Sequence, residues 1–156
     1  ILEQAPTYKN RFGAFFILKI LYERKLKMIF RGNEHKVIYT SVLKNINKPI
    51  FKMTPEFLSS LYLLTSYTKL WNRVKSAVGS EKIDFSRICL KNIKPDCYIL
   101  CKAAQDLYEG SSHICFLDLA DSESINEKIY KLILNAIDIR RKGSCAFQLN
   151  SRGVII

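Results

Sequence analysis

Glycine and proline are scarce, six and four among 156 residues. That excludes collagen-like and low-complexity disordered chains, and it argues against an all-β fold crowded with turns. Long apolar runs are missing too. The stretch "FGAFFILKILY", residues 12–22, has 11 residues and is interrupted by Lys19, whereas a membrane-spanning helix needs about 20. It follows Lys9 and Arg11 as a signal-peptide core would, but "ERKLK" stands where a small-residue cleavage site belongs. No phosphate-binding glycine loop, no G-x-S-x-G and no H-E-x-x-H occurs. Acidic residues are the minority, 14 against 25 basic, for a net charge of +11. A surface of that sign attracts polyanions: nucleic acid, acidic proteins or anionic lipid.

What is present describes an ordinary globular chain. The apolar share is 48% and the charged share 25%, which suits one domain that buries roughly 70% of its unfolded surface. Five cysteines, Cys89, Cys97, Cys101, Cys115 and Cys145, form an odd set in a chain of moderate size. They read as reduced thiols of a cytoplasmic protein.

Apolar residues recur at helical spacing along most of the chain. Residues 12–26 predict a helix with a basic tail. Residues 34–46 predict a second, with Asn33 as N-cap and Glu34 in the first turn. Thr54 as N-cap, Pro55 at the first helical position and Glu56 after it open a long helix that runs to Gly79. Pro95 opens another, and Gly110 stops it. "HICFLDL", 113–119, has strand-like composition, with extended loop as the alternative. "SINE", Ser124 to Glu127, reads as a capping box for a final helix whose last turn holds Arg140, Arg141 and Lys142 before Gly143. The tail "SCAFQLNSRGVII" alternates about "NSRG" and predicts a small hairpin. The expected fold is mostly α: a single compact domain of about five helices, with a short β-hairpin near the C-terminus. Its body is 28–156. Residues 1–27, with six basic and two acidic side chains, form a basic amphipathic helix or an extension upstream of Met28.

Three groups of side chains bear on chemistry. His35 is the candidate acid-base residue, because imidazole titrates near neutrality. Its neighbour Glu34 points about 100° away on a helix, so the two cannot act as a pair. The metal candidates are Cys97, Cys101, His113 and Cys115, since three thiolates and an imidazole suit tetrahedral zinc. Their spacing matches no common zinc motif, and buried thiols on an apolar helix face are the plainer account. The binding candidates are Lys69, Arg73, Arg140, Arg141 and Lys142. Lys69 and Arg73 share a helix face, as a phosphate-tracking surface would require. The acidic residues Asp118, Asp121 and Glu123 lead straight into a helix and read as caps.

From residue 28 to about 143 the chain resembles small uncharacterised helical proteins of Firmicute bacteria, their phages and integrated elements. The resemblance is carried by "FRGNEHKVIY", "LYLLTSYTKLW", "YILCKAAQDLYEG" and "INEKIYKLILNAIDIRRKG". It implies a cytoplasmic helical domain from a bacterium, phage or mobile element, and it brings no activity, cofactor or site residue. The function expected from all of this is non-enzymatic: binding of a protein partner, or of another copy of the chain, through the basic surface. The alternative is DNA or RNA binding. No cofactor is implied.

Overall fold

The helix Pro55–Leu64 is buried on every side: its eight residues from Phe57 to Leu64, six of them large and apolar, all lie inside. A helix of that kind must be enclosed by others, and it forms the centre of the protein. The computed structural model describes residues 30–147. In it six α-helices follow one another: α1 (Asn33–Asn45), α2 (Pro55–Leu64), α3 (Thr68–Val74), α4 (Pro95–Glu109), α5 (Phe116–Ala120) and α6 (Glu127–Lys142). Among the described residues there is no strand, only one antiparallel bridge between Val78 and Ile83. The fold is mostly α, and no described helix is long and apolar enough to cross a membrane.

The central α2 packs most extensively against α4, then against α6. Asn126 at the start of α6 reaches Asp96 at the start of α4, and Arg140 near its end reaches the Leu107 carbonyl. These two helices therefore run side by side in one direction. Arg140 also meets Glu56, at the opposite end of the sequence of α2, at 2.6 Å, so α2 is antiparallel to both. The Ser60 hydroxyl donates to the Ala104 carbonyl at 2.8 Å, a buried polar link between α2 and α4. On its other side α2 receives α1: the Tyr39 hydroxyl donates to the Leu58 carbonyl, and His35 to the Tyr62 carbonyl. Phe30 and Phe147, the two ends of the described chain, both pack against the Tyr39 ring.

Several expected boundaries hold. Thr54 caps α2 by accepting from the Phe57 N–H, with Pro55 in the first turn. Gly110 ends α4 at φ 73°, a left-handed conformation natural to glycine. Others move. The single helix expected from Thr54 to Gly79 is two, because Thr65 and Ser66 break it. Their buried hydroxyls donate back to the carbonyls of Leu61 and Leu63, which satisfies those groups locally and favours a turn over continued helix. The carbonyl of Ser66, freed by the break, accepts from Arg31 Nε at 2.8 Å. The strand-like "HICFLDL" instead contains α5, with Cys115 as N-cap: its sulfur accepts from the Asp118 N–H while the Asp118 carboxylate accepts from the Cys115 N–H. The cap of α6 is Asn126, not Ser124. Its side chain accepts from the N–H groups of Lys128 and Ile129, while the Ser124 hydroxyl turns to Asp121. Gly32 precedes α1 as its cap, and Asn33 lies inside the helix. Gly143–Ala146 is a turn of 3-10 helix. The remainder of the expected hairpin, like the helix expected at 12–26, lies outside the described residues.

Candidate functional site

His35 is 1% exposed. Its Nδ1 accepts from the Arg31 backbone N–H at 3.1 Å, and its Nε2 donates to the Tyr62 carbonyl at 2.8 Å. Those bonds define the neutral tautomer. Phe30, Tyr39 and Tyr62 surround the ring. Burial lowers its pKa to about 4; the Tyr62 bond opposes the shift and the Arg31 charge adds to it. With both nitrogens engaged and no solvent contact, His35 ties α1 to α2. Glu34 faces the other way, accepting from the Thr68 hydroxyl and lying 3.9 Å from Arg31.

The metal candidates are not gathered. Cys97 and Cys101 are in the core, where burial pushes the Cys101 thiol up to about 11. Cys115 caps α5, and His113 Nδ1 sits 2.6 Å from the Asp106 carboxylate. Among the described residues, no three of His, Cys, Asp and Glu converge as metal ligands. All five cysteines are free.

The basic candidates are also dispersed. Arg140 is held between Glu56 and the Leu107 carbonyl, and Lys142 lies 3.8 Å from Asp138. Lys69, Arg73 and Arg141 are exposed, and none forms an ion pair with another described residue. Lys69 and Arg73 share one face of α3, as their four-residue spacing requires.

A concavity among the described residues lies elsewhere. Between α4 and α6, behind α5, is a groove of about 380 Å³. Its walls are mainly apolar: Ala103 and Leu107 from α4, Ile133 and Ile137 from α6, with Ile114 and Leu119 from the connection between them. A short helix that bridges two parallel helices cannot fill the space between them, so the groove follows from the way the chain crosses over. Asp106 holds the near edge. Burial opposes its charge, yet hydrogen bonds from His113, Ile114 and Ser111 outweigh burial and keep its carboxyl below the usual range. This one carboxylate thereby folds residues 111–114 against α4.

Beside the groove, Phe116 is 90% exposed and Leu117 is 80% exposed. Together with the apolar hollow, these two adjacent side chains form an exposed apolar patch. The sequence also holds a signal that the overall charge conceals. Between residues 103 and 127 there are six acidic residues, Asp106, Glu109, Asp118, Asp121, Glu123 and Glu127, and not one lysine or arginine. The rest of the chain has 25 basic against eight acidic residues. The acid-rich stretch supplies the α4 and α5 sides of the groove, with Asp106 the one acidic residue in its lining, while Ile133 and Ile137 come from α6, which carries Lys128 and Lys131. A windowed charge count would have found that stretch; the composition total did not. Local caps explain part of the acidity, since Asp118 accepts from the Cys115 N–H and Asp121 from the Glu123 N–H and the Ser124 hydroxyl. No family model matches the chain, and no curated protein or solved structure matches it either.

Proposed function

We propose that this chain is a non-enzymatic binding protein whose target is another protein. The observation that carries the reading is the apolar groove between α4 and α6 with Phe116 and Leu117 exposed at its side. Grooves of this kind receive the apolar face of an amphipathic helix, with a few polar groups setting its register. The acidic stretch that forms the α4 and α5 sides of the groove favours a basic partner segment, and the basic remainder of the surface steers longer-range approach. Arg140 and Lys142 are engaged within the fold, so steering falls to Lys69, Arg73 and Arg141. A photo-crosslinking residue at position 117, compared with one at position 73, tests the reading in extracts of the source cells. The expected result is a protein adduct at 117 that Phe116→Asp abolishes. Equal labelling at the two positions, or none at 117, refutes it.

A second reading, nucleic-acid binding, is favoured by one observation: Lys69 and Arg73 are exposed on one face without a described ion-pair partner. Phosphate contacts would give an affinity that falls steeply with salt. Gel-shift titration at rising ionic strength, with Lys69→Glu/Arg73→Glu as the control, separates the two. Binding that is indifferent to both salt and the double substitution ends this alternative.

A further inference from the structure

We infer that the surface around Phe51 binds an unpaired nucleic-acid strand, with a base stacked on the Phe51 ring and phosphates held by Lys52 and Arg141. This surface uses no residue of the groove and none of the α3 face, so the inference goes beyond both readings above.

The backbone turns Phe51 outward. After Pro49 comes one turn of 3-10 helix, Ile50–Lys52, closed by bonds from the Lys52 and Met53 N–H groups to the Pro49 and Ile50 carbonyls. At three residues per turn, Ile50 and Met53 lie on the same side. That side faces inward: Met53 belongs to the buried core, and Ile50 packs against that core. Phe51 falls a third of a turn away and is 70% exposed. The ring is no part of the core cluster.

The surroundings of the ring are cationic. Residues 50–52 pack against the 3-10 turn Gly143–Ala146. That turn directly follows α6, so Arg141 and Lys142 stand next to residues 50–52. The two stretches that meet here are both free of acid: no Asp or Glu lies between Glu34 and Glu56, and none follows Asp138. Three of their cations are engaged by acids from outside: Lys48 by Glu81, Arg140 by Glu56, and Lys142 at 3.8 Å from Asp138. Lys44, Lys52 and Arg141 are exposed, and none forms an ion pair with another described residue. An exposed ring among unpaired cations matches the two parts of a nucleotide that a single strand leaves open. The base offers a face for stacking, and the phosphates on either side take the cations. In a duplex, neighbouring base pairs cover those faces, and the ring has nothing to stack on.

The test is fluorescence anisotropy of the full chain with labelled oligothymidylate, labelled oligouridylate and a DNA duplex of equal length, over a salt series. At least one single strand is expected to bind more tightly than the duplex, and the better of the two tells DNA from RNA. Phe51→Ala and Phe51→Leu are each expected to weaken single-strand binding roughly 5- to 100-fold, the loss of one stacked base. Phe51→Tyr keeps an aromatic face and is expected to retain it. Lys52→Gln/Arg141→Gln is expected to flatten the slope of log affinity against log salt by about 1.4, two phosphate contacts at about 0.7 each. The substituted side chains are exposed, so the variants are expected to fold as the unaltered chain does. Duplex binding as tight as single-strand binding overturns the inference. So does unchanged affinity in Phe51→Ala or Phe51→Leu, or a salt slope that the double substitution leaves as it was. Binding to phosphatidylserine vesicles with none to either strand also overturns it and gives the surface to a membrane.

Discussion

His35 makes the fold sensitive to mild acid, and the size of the effect follows from its surroundings. Protonation would put hydrogen on Nδ1, where the Arg31 N–H now donates, and would place a cation in a ring of aromatic side chains near the Arg31 guanidinium. The folded chain therefore resists protonation until about pH 4, against an ordinary value of 6.5. The unfolded chain takes up the proton at its ordinary value. Above that value both states are neutral and the full stability is present. As pH falls below it, only the unfolded state gains a proton, and stability declines by up to about 1.4 kcal/mol per pH unit. At pH 5 the loss from this one residue is about 2 kcal/mol, and the limit below pH 4 is near 3 kcal/mol. Urea unfolding at pH 7.5 and pH 5, for the unaltered chain and for His35→Gln, measures it. The variant is expected to be weaker by about 1–3 kcal/mol at pH 7.5 through lost hydrogen bonds and packing. Between the two pH values the unaltered chain should lose about 2 kcal/mol more than the variant, about 1 M in urea midpoint at a typical slope. Every other titrating group is common to both proteins and cancels in the comparison. A difference between them that stays constant from pH 7.5 to pH 5 refutes the argument.

Three more outcomes are expected. Asn126→Ala should lower stability by about 1–2 kcal/mol by removing the cap of α6, whereas Ser124→Ala should cost less than half of that in the same thermal or urea melt. Asp106→Asn should cost about 1–3 kcal/mol and speed amide exchange at His113 and Ile114, whose N–H groups the carboxylate accepts. Because that carboxyl titrates below its usual range in the fold, its contribution is present at neutral pH and fades as acid protonates it. Unchanged exchange at those two amides would show that Asp106 does not hold the loop. Finally, brief maleimide treatment of the folded protein should modify Cys89, Cys115 and Cys145, which are exposed, and spare Cys97 and Cys101, which are buried; peptide mass spectrometry reads the pattern, and early labelling of Cys101 would contradict the core described above.

The helical class was legible because its signals are local. Thr54 with Pro55, and Gly110 after an apolar stripe, act through the backbone within a turn or two, and those boundaries stand. The break at Thr65 and Ser66 was not legible from apolar spacing, since a hydroxyl that bonds its own backbone leaves the stripe of Leu61, Leu64 and Trp71 intact. Ser124 and Asn126 compete for the same cap. The choice falls to Asn126, whose amide also donates to Asp96 on α4, a contact that only the tertiary arrangement supplies. The groove is less legible still. Ile133 and Ile137 read as core from their period, and they line a hollow because the crossover between α4 and α6 is bridged by a helix of only five residues. The exposure of Phe116 and Leu117 follows from the same short bridge.

The meeting of Phe30 and Phe147 on Tyr39 has a consequence for how the protein is made. Tyr39 is fully buried, but part of its cover, Phe147, is translated much later than the tyrosine itself. At about 5–20 residues per second, a ribosome that has just added Tyr39 needs roughly 5–20 seconds to reach residue 147. Through that interval the tyrosine lacks its Phe147 face. The cover of Tyr39 is completed by the last described residue, so a nascent chain shortened before position 147 leaves an aromatic surface open to chaperones and to neighbouring chains on the same message.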